Sequence, residues 1–263
     1  MADRVNNCYD YPQFWDLGFD DDTQDEADFL IAAAQRYCDF PLQTLLEPGC
    51  GGGRLLLELA GRGYDVTGWD LSESAVDFAN QRLQNAGVSG RASVADMTTS
   101  VCDPPVDVAY CLVNTFRHLL TEDEARRHLQ NVAASVRPGG LYIIGLHLLP
   151  PDADEEDEEE WTVSRDGTTV RIQLQVAEFD RAARKEVLRF FLTASTDAQP
   201  EPVRLTTDYP MRIYTAAQIS SLLHSVPEFE LVDVFDFWYD IEEPLTLSDE
   251  LGDTVLVLRR KTS

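Results

Sequence analysis

The segment TLLEPGCGGGRLLLELAGRGYDVTGWDLS, which begins at Thr44, restricts the folds open to this chain more than any other. TLLEP reads as a short apolar strand, GRLLLELAGRG as an amphipathic helix ended by glycine, and YDVTGWD as a second strand. Strand, helix and strand in that order form a right-handed crossover between parallel neighbours. Glycine costs backbone entropy, so Gly49, Gly51, Gly52 and Gly53 make sense only where φ must be positive or where something approaches the backbone closely.

The alternation continues to about Leu148. LSESAVDFANQRLQNAG is a helix with Ser72 as N-cap and Gly87 as its stop, and GRASVAD and VDVAYCLV are strands. TEDEARRHLQNVAASVRPGG is a helix capped by Thr121 and stopped by Pro-Gly-Gly, and LYIIGLHLL is a buried strand. TAAQISSLLHSV is a further helix, capped by Thr215, and FELVDVFDFWYD and DTVLVLRRK close the pattern as strands. The expected class is α/β: a Rossmann-like, mostly parallel, seven-stranded sheet with helices on both faces. After the fifth strand, TTVRIQLQVAEFD and KEVLRFFLTAST alternate apolar and polar residues around a turn near Arg181–Arg184. With VRLTTDYPMRIY they predict an antiparallel β insert. The acidic run 152–160 reads as a solvated loop rather than a cation site. Before the core, TQDEADFLIAAAQRYC is an amphipathic helix expected across the pocket mouth. The division expected is a helical cap over 1–43, a core over 44–149 and 213–263, and the acidic loop with its insert over 150–212.

A formal charge of −26 repels phosphate backbones and anionic lipid, and no basic stripe offsets it, so neither nucleic acid nor a membrane surface is expected as partner. No apolar run reaches the roughly 18 residues of a transmembrane helix. The N-terminus has no signal-peptide pattern. The five cysteines include no C-x-x-C pair, which predicts reduced thiols, a cytoplasmic location and no zinc or other metal site.

In an open α/β sheet a ligand sits outside the carboxyl ends of the strands. The glycines of EPGCGGGR follow the first strand, and Asp70 ends the second, where a carboxylate can accept both hydroxyls of a ribose. A dinucleotide site needs glycine where Arg54 stands, and Glu47 would repel a pyrophosphate. Glu47 suits an ammonium group instead. S-adenosylmethionine carries ribose, adenine and an α-amino acid, and no phosphate.

On these residues the chain resembles the class I S-adenosylmethionine-dependent methyltransferases. The resemblance runs from LLEPGCGGGRLLLELAGRGYDVTGWDLSESAVDFA through VADMTTS and VDVAYCLVNTFRHL to LQNVAASVRPGGLYII. The insert and RIYTAAQI resemble small-molecule members such as sugar-amine N-methyltransferases and glycine N-methyltransferase. The resemblance implies that Glu47 and the backbone of Gly49, Cys50, Gly51 and Gly53 hold the methionine part, and Asp70 the ribose. It implies that Leu71 packs on adenine, that Asp96 accepts from its amine, and that the Met97 N–H donates to it. Leu112, Val113 and Asn114 would line the sulfonium. Family members often fold an N-terminal aromatic segment over the cofactor, a role open here to Tyr9, Tyr11, Phe14 and Trp15. Arg54 is read as a helix-start residue.

Methyl transfer needs an aligned nucleophile and exclusion of water, and a hydroxyl or ammonium nucleophile must also lose a proton. His118, just after the fourth strand, is the candidate base, with His147 at the end of the fifth strand second. His128 and His224 lie within amphipathic helices and are read as surface or packing residues. DPPV at Asp103–Val106 is similar to a signature of amino-group methyltransferases, but it precedes the fourth strand and lacks the aromatic residue, so it is read as a loop. The expected activity is methyl transfer to an oxygen or nitrogen of a small molecule, with an amine favoured because an acidic protein attracts cations. The alternatives are a nicotinamide oxidoreductase of Rossmann type and a non-catalytic S-adenosylmethionine-binding protein.

Overall fold

The structure, a computed structural model, describes residues 7–150 and 158–262. A 3-10 turn over Cys8–Asp10 leads into helix α1 (Pro12–Gly18) and then α2 (Thr23–Tyr37). The core follows as β1 (Thr44–Pro48), α3 (Arg54–Gly61), β2 (Asp65–Asp70), α4 (Glu73–Ala86), β3 (Gly90–Val94) and β4 (Val106–Cys111). A second 3-10 turn over Thr115–His118 precedes α5 (Glu122–Ser135) and β5 (Val136–His147). Next come β6 (Glu158–Arg165), β7 (Thr168–Asp180), β8 (Lys185–Thr196) and β9 (Gln199–Arg212). The chain ends with α6 (Ala216–His224), β10 (Phe229–Phe235) and β11 (Asp253–Arg260).

The caps sit where their chemistry requires them. Ser72 Oγ accepts the Ala75 N–H at the start of α4, and Gly87 ends that helix in the left-handed region at φ +66°. Reciprocal capping boxes open α5 (Thr121 with Glu124) and α6 (Thr215 with Gln218), satisfying donors that a helix start leaves orphaned.

Seven strands pair in the order β10-β11-β5-β4-β1-β2-β3, and β11 alone runs against the others. Helices α2, α3 and α4 bury Leu30, Leu55, Leu56 and Val76 against one face. Helices α5 and α6 bury Leu129, Val132 and Ile219 against the other. Each such side chain contributes about 1.5–3 kcal/mol on full burial, so both layers are held mainly by apolar area. This corrects the expectation for α2: its buried Phe29, Leu30, Ala33 and Ala34 place it on the sheet face beside α3, not across a pocket mouth.

Three further segments differ from the sequence pattern. Val136–Gly140 belongs to β5 rather than to the end of α5, with Val136 paired to Val106. A Cβ on Gly140 would overlap the Asp107 carbonyl oxygen, so that glycine serves a close strand approach and not a helix stop. In the second sheet, ordered β6-β7-β8-β9, the strand β6 was not expected. It turns into β7 through Asp166 and Gly167, both at positive φ, the two-residue turn that suits a hairpin. Within the acidic run, residues 152–157 lie outside the described residues, while Glu158, Glu159 and Glu160 open β6. Finally, β10 stops at Phe235, and the residues after it fold back toward the carboxyl ends of the core strands.

The second sheet turns one face toward the N-terminal arm. Cys8, Ile172, Phe190, Leu192 and Tyr209 are buried there, with Trp15 and Phe19 packed against them. The Cys8 N–H donates to Thr207 Oγ1 at 2.8 Å, and Trp161 Nε1 donates to the Gly18 carbonyl at 2.6 Å. The arm is thereby fixed to the insert.

Candidate functional site

The carboxyl ends of β1, β2 and β4 converge on the glycine loop. Gly49, Gly51 and Gly53 all take positive φ (+73°, +52° and +74°), and α3 starts immediately after them. What approaches these glycines is in large part the protein itself. A Cβ on Gly49 would overlap Thr115, one on Gly52 would lie 2.6 Å from Asp16 Oδ2, and one on Gly53 would lie 2.9 Å from the Ala79 Cβ. Only at Gly51 is the nearest atom at ordinary contact distance, Asp16 Oδ1 at 3.8 Å. Cys50 is buried, and its N–H donates to the Trp69 carbonyl, as does that of Gly49.

Asp70 braces the loop: Oδ2 accepts the Gly51 N–H and Oδ1 the Ser72 N–H, both at 2.8 Å. Each carboxylate oxygen keeps a second lone pair for a ligand hydroxyl. Leu71 beside it is 73% exposed, a large apolar side chain left open at the strand ends. Asp96 Oδ1 accepts the Thr98 N–H at 2.7 Å, fixing a turn whose Met97 carbonyl meets His128 Nδ1 at 3.0 Å. The Met97 N–H has no partner among the described residues. His128 is fully buried between that turn and the Tyr142 hydroxyl, 2.6 Å from its Nε2. Burial holds its pKa down at about 4, so it is a neutral packing residue that steadies the Asp96–Met97 turn.

Glu47 carries the clearest electrostatic signal. Its carboxylate accepts from the Tyr110 hydroxyl at 3.1 Å, and burial pushes its pKa well above the usual carboxylate range despite the nearby Arg54. Arg54 does not relieve it directly. That guanidinium is spent on Glu26 through a bidentate pair and on Thr23 Oγ1, so it ties α3 to α2. A half-buried, poorly solvated carboxylate with no directly bonded cation among the described residues favours a ligand that brings one. Glu47 with an ammonium, Asp70 with vicinal hydroxyls, and the free Met97 N–H with an adenine ring nitrogen match the donor set of S-adenosylmethionine.

Beyond β4 the chain is strained. Val113 and Asn114 both take positive φ (+51° and +64°), unusual for a β-branched residue followed by a second non-glycine. Asn114 holds the kink: its N–H donates to the Gly145 carbonyl, and its Oδ1 accepts the His147 N–H at 2.8 Å and Arg117 Nη1 at 3.3 Å. Arg117 is buried against Glu186 of β8. Leu112 is buried beside Gly145.

Over these ends lies an aromatic group from three separate parts of the chain. The Tyr9 ring stacks on Tyr209 of β9 at 5.1 Å and meets Trp15 edge-on at 4.9 Å. The Tyr9 hydroxyl is 3.2 Å from His118 Nε2, and its pKa is raised by burial and, in smaller part, by the Asp70 charge. Tyr9 thus spans from the Asp70 side of the site to His118. Tyr11 and Phe14 stack on each other at 6.3 Å and pack on the same cluster. Sequence reasoning did not single out Tyr209, Phe237 or Tyr239. The first lies in the insert, and the other two lie in a segment read as strand. Phe237 sits 5.3 Å from the His147 ring, and the Tyr239 hydroxyl donates to Glu26.

Burial and the Arg117 charge lower the His118 pKa to about 4. The imidazole is therefore neutral at physiological pH, and a weak base is a poor proton acceptor there. A separate groove of about 350 Å³, lined by Thr44, Asp65, Gly90, Arg91, Asp103 and Pro104, lies at the opposite, amino ends of the strands. The DPPV segment belongs to that groove as a loop before β4. Among the described residues no cluster has the composition of a metal site, and no helix is long and apolar enough to cross a membrane.

Residues 45–140 match the family model described as "Methyltransferase domain". A dTDP-4-amino-2,3,4,6-tetradeoxy-D-glucose N,N-dimethyltransferase from Saccharopolyspora spinosa is 24% identical over 69% of this chain and 69% of its own length. Other curated relatives, among them a sterol 4-C-methyltransferase from Caenorhabditis elegans, are matched over only about a third to a half of their own length. Among solved structures, an S-adenosylmethionine-dependent methyltransferase from Clostridium acetobutylicum superposes with a TM-score of 0.74 at 16% identity, covering 97% of this chain and 100% of that one. A sugar N-methyltransferase from Streptoalloteichus gives 0.74 at 17% identity, over 99% and 96%. Residues 45–140 therefore carry a methyltransferase-domain match, on a fold shared with S-adenosylmethionine-dependent methyltransferases.

Proposed function

We propose that the chain transfers a methyl group from S-adenosylmethionine to a nitrogen or oxygen of a small molecule, with an amine the favoured acceptor. The observation that carries the reading is the half-buried Glu47 carboxylate, bonded to the Tyr110 hydroxyl and to no cation among the described residues, beside the Asp70-braced glycine loop. Bound there, the cofactor supplies an electrophilic methyl carbon on a good leaving group. In this reading Glu47 takes the ammonium, Asp70 the ribose, Leu71 one adenine face, and Asp96 and Met97 the adenine edge. Leu112, Val113 and Asn114 line the reacting carbon. Tyr9, Tyr11 and Trp15 come from the arm that closes the site against water. His118 orients through Tyr9 rather than accepting a proton. Five free cysteines accord with a cytoplasmic location.

The half-buried rings of Tyr9 and Trp15, backed by the buried Phe190 and Tyr209, favour a cationic or ring-shaped acceptor, since aromatic faces attract both. The similarity to a sugar-amine dimethyltransferase and a sugar N-methyltransferase points the same way. The test is transfer of label from methyl-labelled cofactor to a panel of amino sugars, amino acids, polyamines and phenols, with bulk RNA and DNA alongside. Methylated amine is the expected product. Label in nucleic acid alone would overturn the reading.

A further inference from the structure

Resting on the methyltransferase reading, we propose that His147, oriented by Asp253, is the group that takes the acceptor's proton. Strand pairing sets His147 of β5 directly opposite Asp253 of β11. The two side chains meet through His147 Nδ1 and Asp253 Oδ1. With Nδ1–H given to a carboxylate, Nε2 carries the lone pair, the arrangement that readies an imidazole to accept a proton. Nε2 has no hydrogen-bond partner among the described residues.

The position agrees with this role. Side chains alternate along a strand, so His147 shares a face with Gly145 and Ile143, the face on which Leu112, Tyr110 and Phe235 pack. Its backbone N–H is held by Asn114, the residue that ends the strained turn beyond Leu112. Phe237 covers one side of the imidazole and also touches the Gly145–Leu112 contact. His118 lacks these features: its Nε2 faces the Tyr9 hydroxyl, and among the described residues no carboxylate bonds to its ring. The Asp253 carboxyl lies below the usual carboxylate range because of its bond to His147. His147 and Asp253 are each about half exposed, at 41% and 50%, which leaves a route to solvent.

The step balances without a further reagent. The acceptor's lone pair forms a bond to the methyl carbon as the carbon–sulfur bond breaks and its electrons stay on sulfur. The N–H or O–H proton passes to His147 Nε2 and then to water. A bare cross-strand ion pair would give the same Asp253 contact but no response to the cofactor's reacting centre.

The experiment is imidazole ¹⁵N–¹H correlation NMR of the full chain with S-adenosylhomocysteine and with sinefungin, which places an ammonium where the methyl group would stand. His147 is expected as the Nδ1–H tautomer, with its Nε2 resonance shifted by sinefungin relative to the S-adenosylhomocysteine complex and His224 unmoved. In His147→Gln, turnover of the amine found in the panel should fall about 10²–10⁴-fold with S-adenosylhomocysteine affinity retained. Identical His147 resonances in the two complexes, or unchanged turnover, would overturn the assignment while leaving the methyltransferase reading intact. If neither analogue binds, that reading falls and the assignment with it.

Discussion

Asp70→Ala is expected to weaken S-adenosylhomocysteine binding about 10²–10⁴-fold, because two charge-assisted hydrogen bonds to the ribose, each worth about 1.5–3 kcal/mol, disappear together. The loss has a second source. Asp70 also receives the N–H groups of Gly51 and Ser72, so the alanine variant frees the loop as well as the ligand. Asp70→Asn separates the two contributions, since an amide oxygen can still accept one of those N–H bonds. Isothermal titration of both variants, with urea unfolding alongside, checks this. Affinity within threefold of the parent in the alanine variant would mean that the ribose lies elsewhere.

The largest effect on stability is expected from Arg117→Ala, at about 3–5 kcal/mol. Removing the guanidinium leaves Glu186 buried without its cation, and both residues are less than a tenth exposed. Arg117 also donates to the Arg212 carbonyl and to Asn114, so the change disconnects the insert from the strained turn beside the site. Urea midpoints read the loss. A variant as stable as the parent would show that the pair is solvated in solution.

The parallel core was legible because each of its signals is local. Ser72, Thr121 and Thr215 are caps that act within three residues, and the glycine loop lies between two short strands. The harder elements depend on partners far along the chain. Pro138-Gly139-Gly140 resembles a helix stop, yet Gly140 is set by the Asp107 carbonyl on the neighbouring strand. The amphipathic face of α2 is plain in sequence, but the sequence does not say whether that face meets the sheet or a pocket. Asp166-Gly167 was a usable hairpin signal and would have found β6.

The candidate site divides in the same way. Glu47, Asp70 and Asp96 end strands or follow them, and topology alone brings them to one edge. The Asp253–His147 pair joins residues more than a hundred positions apart, and only the reversed strand β11 makes them neighbours. Tyr209 reaches Tyr9 and His118 from the insert, whose placement over the core no periodicity encodes.

The Glu47–Asp70 edge is expected to hold S-adenosylmethionine and not a dinucleotide. Calorimetric titration of the purified chain with S-adenosylhomocysteine and with NAD, under the same buffer and salt, tests it most directly. Saturable one-site binding of S-adenosylhomocysteine, weakened in Glu47→Gln, is expected, with no heat of binding from NAD. Binding of NAD with none of S-adenosylhomocysteine would contradict it.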